Sequence, residues 1–197
     1  MNRREAIKNQ SLVIFGVAVS ASAWSGLYLS CRSMPVLDWK PGFFTVEEAS
    51  LLTAITETIL PKTQTAGAME TGVPRFIDKA IAALFDPETQ QKIRDGLDQI
   101  DRMAKTTFGK KFPSCSEEER TSLLLDLDRK AGTYPLSLWG ITLEQSKPVG
   151  FFRDLKSLTL MAYFTSEEIG KGVLRYDPVP GDYQACLPLD GMNSWTE

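Results

Sequence analysis

Three helix-start signals, with no strand alternation anywhere between them, constrain this chain most. Thr45-Val46-Glu47-Glu48 and Ser116-Glu117-Glu118-Glu119 are capping boxes: a hydroxyl accepts from the N–H three residues on, and the glutamate there reaches back. Asp86-Pro87 places an N-cap carboxylate before a proline whose missing N–H costs a first turn nothing. Each signal is followed by apolar residues at helical spacing. They are Leu51, Leu52, Ile55 and Ile59, then Ile93, Leu97, Ile100 and Ala104, then Leu123, Leu124, Leu127 and Ala131. Pro61 stops the first helix, and Lys62–Gly72 is a loop by composition. Pro74 opens another helix, whose apolar residues are Phe76, Ile77, Ala80, Ile81, Leu84 and Phe85. The apolar, aromatic run from Pro148 to Phe164 reads as the most buried helix, and Ser166-Glu167-Glu168-Ile169 as the start of a short turn. The expected fold is all-α: a single helical bundle of about five helices, with an N-terminal signal segment and a long irregular C-terminal tail.

Histidine is absent from all 197 residues, so there is no Ser-His-Asp or Cys-His triad, no His-ligated zinc and no His-ligated haem. A net charge of −3 gives no footprint for nucleic acid. The acidic pairs in the first turns are where the helix dipole favours negative charge, so capping explains them better than acid–base catalysis. Asp95, Asp98, Asp101 and Arg102 read as a solvated helix face. Gly109-Lys110-Lys111 lacks the preceding glycine and the strand of a phosphate-binding loop. Phe151, Phe152, Tyr163 and Phe164 read as core rather than as a cofactor box.

The first 31 residues read as an address. Arg3, Arg4 and Lys8 precede an apolar run from Leu12 to Leu29, the layout of an export signal. Asn2-Arg3-Arg4-Glu5-Ala6-Ile7-Lys8 resembles a twin-arginine signal, whose route carries folded proteins, although Ala6 stands where a bulky apolar residue is usual. Leu29-Ser30-Cys31 resembles the end of a lipobox, making Cys31 the candidate for lipidation and membrane attachment. The stretch is also nearly long enough to remain as an uncleaved anchor. Removal of residues 1–30 takes three basic residues and one acidic one, leaving a net charge of −5. Residues 32–43 are then a tether, and 44–197 a helical domain with an extended tail from about 174.

With Cys31 lipidated, Cys115 and Cys186 remain as disulfide candidates. A bridge across that separation is worth about 4 kcal/mol by chain entropy, and either thiol could equally stay free or pair with another chain. The tail combines Arg175, Tyr176, Pro180, Gly181 and Tyr183, residue types suited to a partner interface or to wrapping back on the bundle.

Several pieces, in order, carry a resemblance. They are Phe44-Thr45 through Glu48, Ile59-Leu60-Pro61 with Thr65-Ala66-Gly67-Ala68, and Gly72-Val73-Pro74-Arg75-Phe76-Ile77-Asp78. Gly96-Leu97-Asp98-Gln99-Ile100-Asp101, Phe151 through Thr159, and the Tyr176–Tyr183 tail follow. Together, over roughly residues 43–188, the chain resembles the gluconate 2-dehydrogenase subunit 3 family. The resemblance implies a small subunit without a redox cofactor of its own. It implies a large partner of the glucose-methanol-choline type that holds FAD, oxidises a sugar or polyol and leaves the cell on the small subunit's signal. In some systems a multihaem cytochrome subunit accepts the electrons. The expected location is periplasmic and membrane-associated. The other reading left open is a stand-alone exported helical lipoprotein that binds or processes a small ligand in a helix-lined pocket.

Overall fold

The first helix of the domain is buried nearly all round, and the other helices are arranged on it. In the computed structural model, which describes residues 37–135, 137–138, 141–142, 149–175, 181 and 186, this helix is α1, Val46–Ile59. All described residues belong to one compact unit, Pro35–Glu197. The remaining elements are α2 (Val73–Leu84), α3 (Pro87–Phe108), a 3-10 turn at Phe112–Ser114 and α4 (Glu117–Lys130). A two-residue antiparallel ladder pairs β1 (Ser137–Leu138) with β2 (Ile141–Thr142). Then come α5 (Phe151–Phe164) and the short α6 (Glu167–Gly172), which begins where Ser166 was expected to start a turn. The described part is all-α apart from that ladder, with six helices rather than five because α6 completes.

Both capping boxes form. Thr45 Oγ1 accepts from Glu48 N at 3.2 Å while Glu48 Oε2 accepts from Thr45 N at 2.8 Å. Ser116 and Glu119 repeat the exchange at 3.3 and 2.7 Å. Asp86 Oδ1 accepts from Glu88 N and Thr89 N, both at 3.0 Å.

The expectation that the Pro148–Phe164 stretch is the most buried helix is corrected. In α5 only Phe152, Leu155, Thr159, Ala162 and Tyr163 are buried, whereas every residue of α1 from Ala49 to Thr56 is. The reason lies in small side chains and in two threonine hydroxyls that bond to their own helix, while the Ser50 hydroxyl is buried without a partner among the described residues. Ala49, Ser50 and Ala54 let neighbouring helices close in, and Thr53 and Thr56 donate to the carbonyls of Ala49 (2.8 Å) and Leu52 (3.0 Å) one turn back. A buried threonine whose proton is used this way carries no unmet donor. α1 thereby packs on α2, α3, the 3-10 turn, α4 and α5.

Two close approaches set how the outer helices meet. A Cβ built on Gly96 of α3 would lie 2.4 Å from the Phe151 ring of α5, so any larger residue there would make the ring or the helices shift. Gly150 N donates to Ala131 O at 2.9 Å, tying the end of α4 to the start of α5. Asp101, expected on a solvated face, is instead buried: its Oδ1 accepts from Phe112 N at 2.9 Å and its Oδ2 pairs with Lys105 at 2.6 Å. The 3-10 turn folds back onto α3 and needs an acceptor there.

Candidate functional site

The segment leading into α1 is fastened to two other helices. Asp78, 2% exposed in the middle of α2, accepts from the N–H groups of Gly42 (2.8 Å), Phe43 (3.1 Å) and Phe44 (2.9 Å). Arg94 of α3 completes the clasp. Its Nη1 reaches both oxygens of Glu48 at 2.8 and 2.7 Å, its Nη2 donates to Phe43 O at 2.8 Å, and its guanidinium stacks 4.3 Å from the Phe43 ring centroid. One arginine thus serves a cap, a carbonyl and a ring, a fork geometry that lysine does not offer.

α2 and α5 run antiparallel. Ile81 and Phe85, at the end of α2, share a cleft with Phe151, Leu155 and Leu158, near the start of α5. At the opposite end Tyr163 Oη donates to Ala66 O at 2.8 Å, just ahead of α2. The cleft encloses about 450 Å³ and is floored by apolar side chains. On its rim Tyr134 Oη donates to Asp154 Oδ1 at 2.7 Å. Partial desolvation, and the hydrogen bond to the Asp154 carboxylate, raise the Tyr134 pKa above its ordinary value, so the phenol is a donor here.

The outer faces of these two helices carry large apolar side chains. Phe164, read as core, is 47% exposed, and the apolar Phe76 and Leu84 of α2 are 44% and 79% exposed. The buried arc of α2 is Val73, Pro74, Ile77, Asp78, Ala80 and Ile81. Phe76 falls outside that arc, and Leu84 sits at the helix end, beyond its neighbour's reach. The helical wheel contained the signal: an arc that includes Asp78 rotates the core away from Phe76. Arg75 and Lys79 lie one turn apart on the exposed side of α2 and make no ion pair among the described residues.

The residues singled out from sequence fall as follows. Arg3, Arg4, Cys31, Tyr176, Pro180 and Tyr183 lie outside the described residues. Arg175 follows α6 and is half-buried, and Gly181 is exposed. Cys115 and Cys186 are both free thiols, the first buried beside the 3-10 turn and the second exposed. Burial, reinforced by Glu119, pushes the Cys115 thiol pKa up. Among the described residues no helix is long and apolar enough to cross a membrane, and no three Cys, Asp or Glu side chains converge as a metal site.

Neither a curated protein nor a solved structure matches the chain. A family model does, that of gluconate 2-dehydrogenase subunit 3, and it covers residues 46–181. That span opens on the first residue of α1, takes in every helix described above and reaches into the tail. With well over half of its length matched, this chain belongs to the gluconate 2-dehydrogenase subunit 3 family.

Proposed function

We propose that this protein is the non-catalytic small subunit of an FAD-dependent dehydrogenase complex. It binds a large glucose-methanol-choline-type subunit that oxidises a sugar or polyol, helps it mature and carries it out of the cell on the twin-arginine-type signal at Arg3-Arg4. Cys31 attaches the complex to the membrane on the periplasmic side, and the FAD resides in the partner. The observation that carries this reading is the family match across the whole helical body, since the family is by its description a subunit of a gluconate dehydrogenase. The Arg-Arg pair ahead of an apolar stretch supports the export role, because a route that accepts folded cargo suits a partner already loaded with flavin.

The test is a pull-down from native membranes with a C-terminal tag, read by mass spectrometry and an absorbance scan. Stoichiometric recovery of a large chain with a flavin spectrum is the expected result. Recovery of the small chain alone, under conditions that keep other membrane complexes intact, overturns the reading.

One observation favours the second reading, a stand-alone ligand binder. The cleft between α2, α3 and α5 has a volume in the range of small-molecule sites, with an apolar floor and a polar pair at the rim. A thermal-shift screen of small apolar alcohols and acids on the isolated chain tests it, and Leu158→Ala would weaken any hit.

A further inference from the structure

We propose that the exposed side of α2 and α5 is the surface that docks the dehydrogenase subunit, and that the partner meets it with carboxylates set beside apolar side chains. The inference rests on the small-subunit reading above and adds to it the surface and the chemistry opposite.

Charge is the first argument. In a chain of net charge −3, ten lysines and arginines of the described residues are held in ion pairs with carboxylates. Arg75 and Lys79 are not among them. They project from one exposed face, four residues and so about 6 Å apart along the helix. α2 exposes no carboxylate of its own, because its single acid, Asp78, is buried and occupied by three backbone N–H groups. Two like charges placed one turn apart repel each other and do nothing for the isolated helix. A partner carboxylate opposite them turns that cost into attraction, and steers the encounter as well.

The distribution of apolar surface is the second argument. Eight large apolar side chains are exposed among the described residues, and four of them (Met69, Phe76, Met161 and Phe164) belong to this side of α2, the turn before it or α5; Leu84, in line with Ile77 and Ile81 at the end of α2, is not counted with this face. On α5 the exposed arc is Asp154, Ser157, Met161, Phe164 and Thr165, opposite its buried residues. Phe76, Met161, Phe164 and Arg75 are of the types enriched at interfaces, and Lys79, Asp154 and Ser157 among them are of the types that belong to a rim. The apolar cleft lies at the other end of the same helix pair, ready to take an inserted side chain.

Area is the third. Two helices about 20 Å long and about 10 Å apart present on the order of 400 Å² in projection. That is roughly half of the ~800 Å² per partner of a standard interface. The face is therefore the centre of the contact rather than all of it, and neighbouring segments supply the rim.

The test uses the full chain and the purified flavin-containing subunit recovered with it. Wild-type affinity is expected to fall as salt is raised. The exposed double variant R75E/K79E is expected to bind about 10- to 100-fold more weakly, and Phe76→Ser about 10-fold. Both should keep the wild-type helical circular dichroism. K111E/R129E, an equivalent double charge reversal at exposed residues beside the 3-10 turn and at the end of α4, controls for net charge and should bind like wild type. If the wild-type chain binds no flavin-containing dehydrogenase, the small-subunit reading itself fails. If it binds one and R75E/K79E and Phe76→Ser bind equally well, only the assignment of this face is overturned. Loss of binding to phosphatidylglycerol vesicles in R75E/K79E, with dehydrogenase affinity unchanged, would likewise overturn it and give the cations to lipid.

Discussion

The Asp78 carboxylate accepts the N–H of Phe44 at 2.9 Å across 34 residues of sequence, so the start of α1 is held by the middle of α2. Two further N–H groups share the same carboxylate. Asp78→Ala leaves the buried Phe44 donor without an acceptor and frees the other two to water. A loss of about 3 kcal/mol is expected, or roughly 6–12 °C in Tm for a domain of this size. Asp78→Asn keeps one acceptor oxygen and should lose about half as much. Thermal unfolding followed by circular dichroism separates the three proteins.

The crossing of α3 and α5 gives a second expectation. Gly96→Ala gains about 1 kcal/mol of helix propensity. Its methyl, however, lands on the Phe151 ring, and overpacking of this kind costs about 1–3 kcal/mol. The net effect is expected to be destabilising. Combining Gly96→Ala with Phe151→Leu should recover part of the loss, a coupling that a double-mutant cycle in urea measures directly. Simple additivity of the two losses would show that the ring is not what the methyl meets.

Acid should act on the α4 cap. The Lys110 ammonium, with the Ser116 N–H, holds the Glu119 carboxyl below the ordinary glutamate value of 4.5. A carboxylate whose pKa is lowered by folding contributes stability above its unfolded value, and that contribution is lost as pH falls through the folded one. Glu119→Gln keeps a side-chain oxygen for the capping box but cannot ionise. The wild type should therefore exceed it in urea midpoint at neutral pH, with the difference shrinking once pH drops below about 4.5. A difference that stays constant into acid would assign the effect to something other than this carboxylate.

The thiols should differ in reactivity. Cys115 is 2% exposed and its pKa is raised by burial, whereas Cys186 is exposed. Since the thiolate is the nucleophile, iodoacetamide at neutral pH should label Cys186 in the native protein and reach Cys115 only on unfolding. Peptide mass spectrometry reads this out. A native protein in which neither thiol labels until reductant is added would show that the two are bonded to each other.

Much of the fold was legible in the sequence because the helix ends are encoded locally. Thr45, Asp86 and Ser116 each cap the helix they were expected to cap, within three residues of the groups they satisfy. What escaped was set by partners distant in sequence. Asp101 belongs to Phe112 N and Asp78 to Phe44 N, and apolar periodicity contains no term for either. The same blindness applies to α2: Phe76 is apolar, and only the burial of Asp78 shows that the core lies elsewhere. No reading of the sequence singled out Arg75 and Lys79, because their lack of an ion pair among the described residues is a tertiary fact.

The bond from Gly150 N to Ala131 O brings the end of α4 and the start of α5 to the same spot. Whatever is strung between those two residues closes a loop whose ends are already pinned. Doubling its length would cost only about 0.6 kcal/mol of closure entropy. An engineer could therefore splice a fluorescent protein or a second binding module between these two residues and expect the helices to keep their packing.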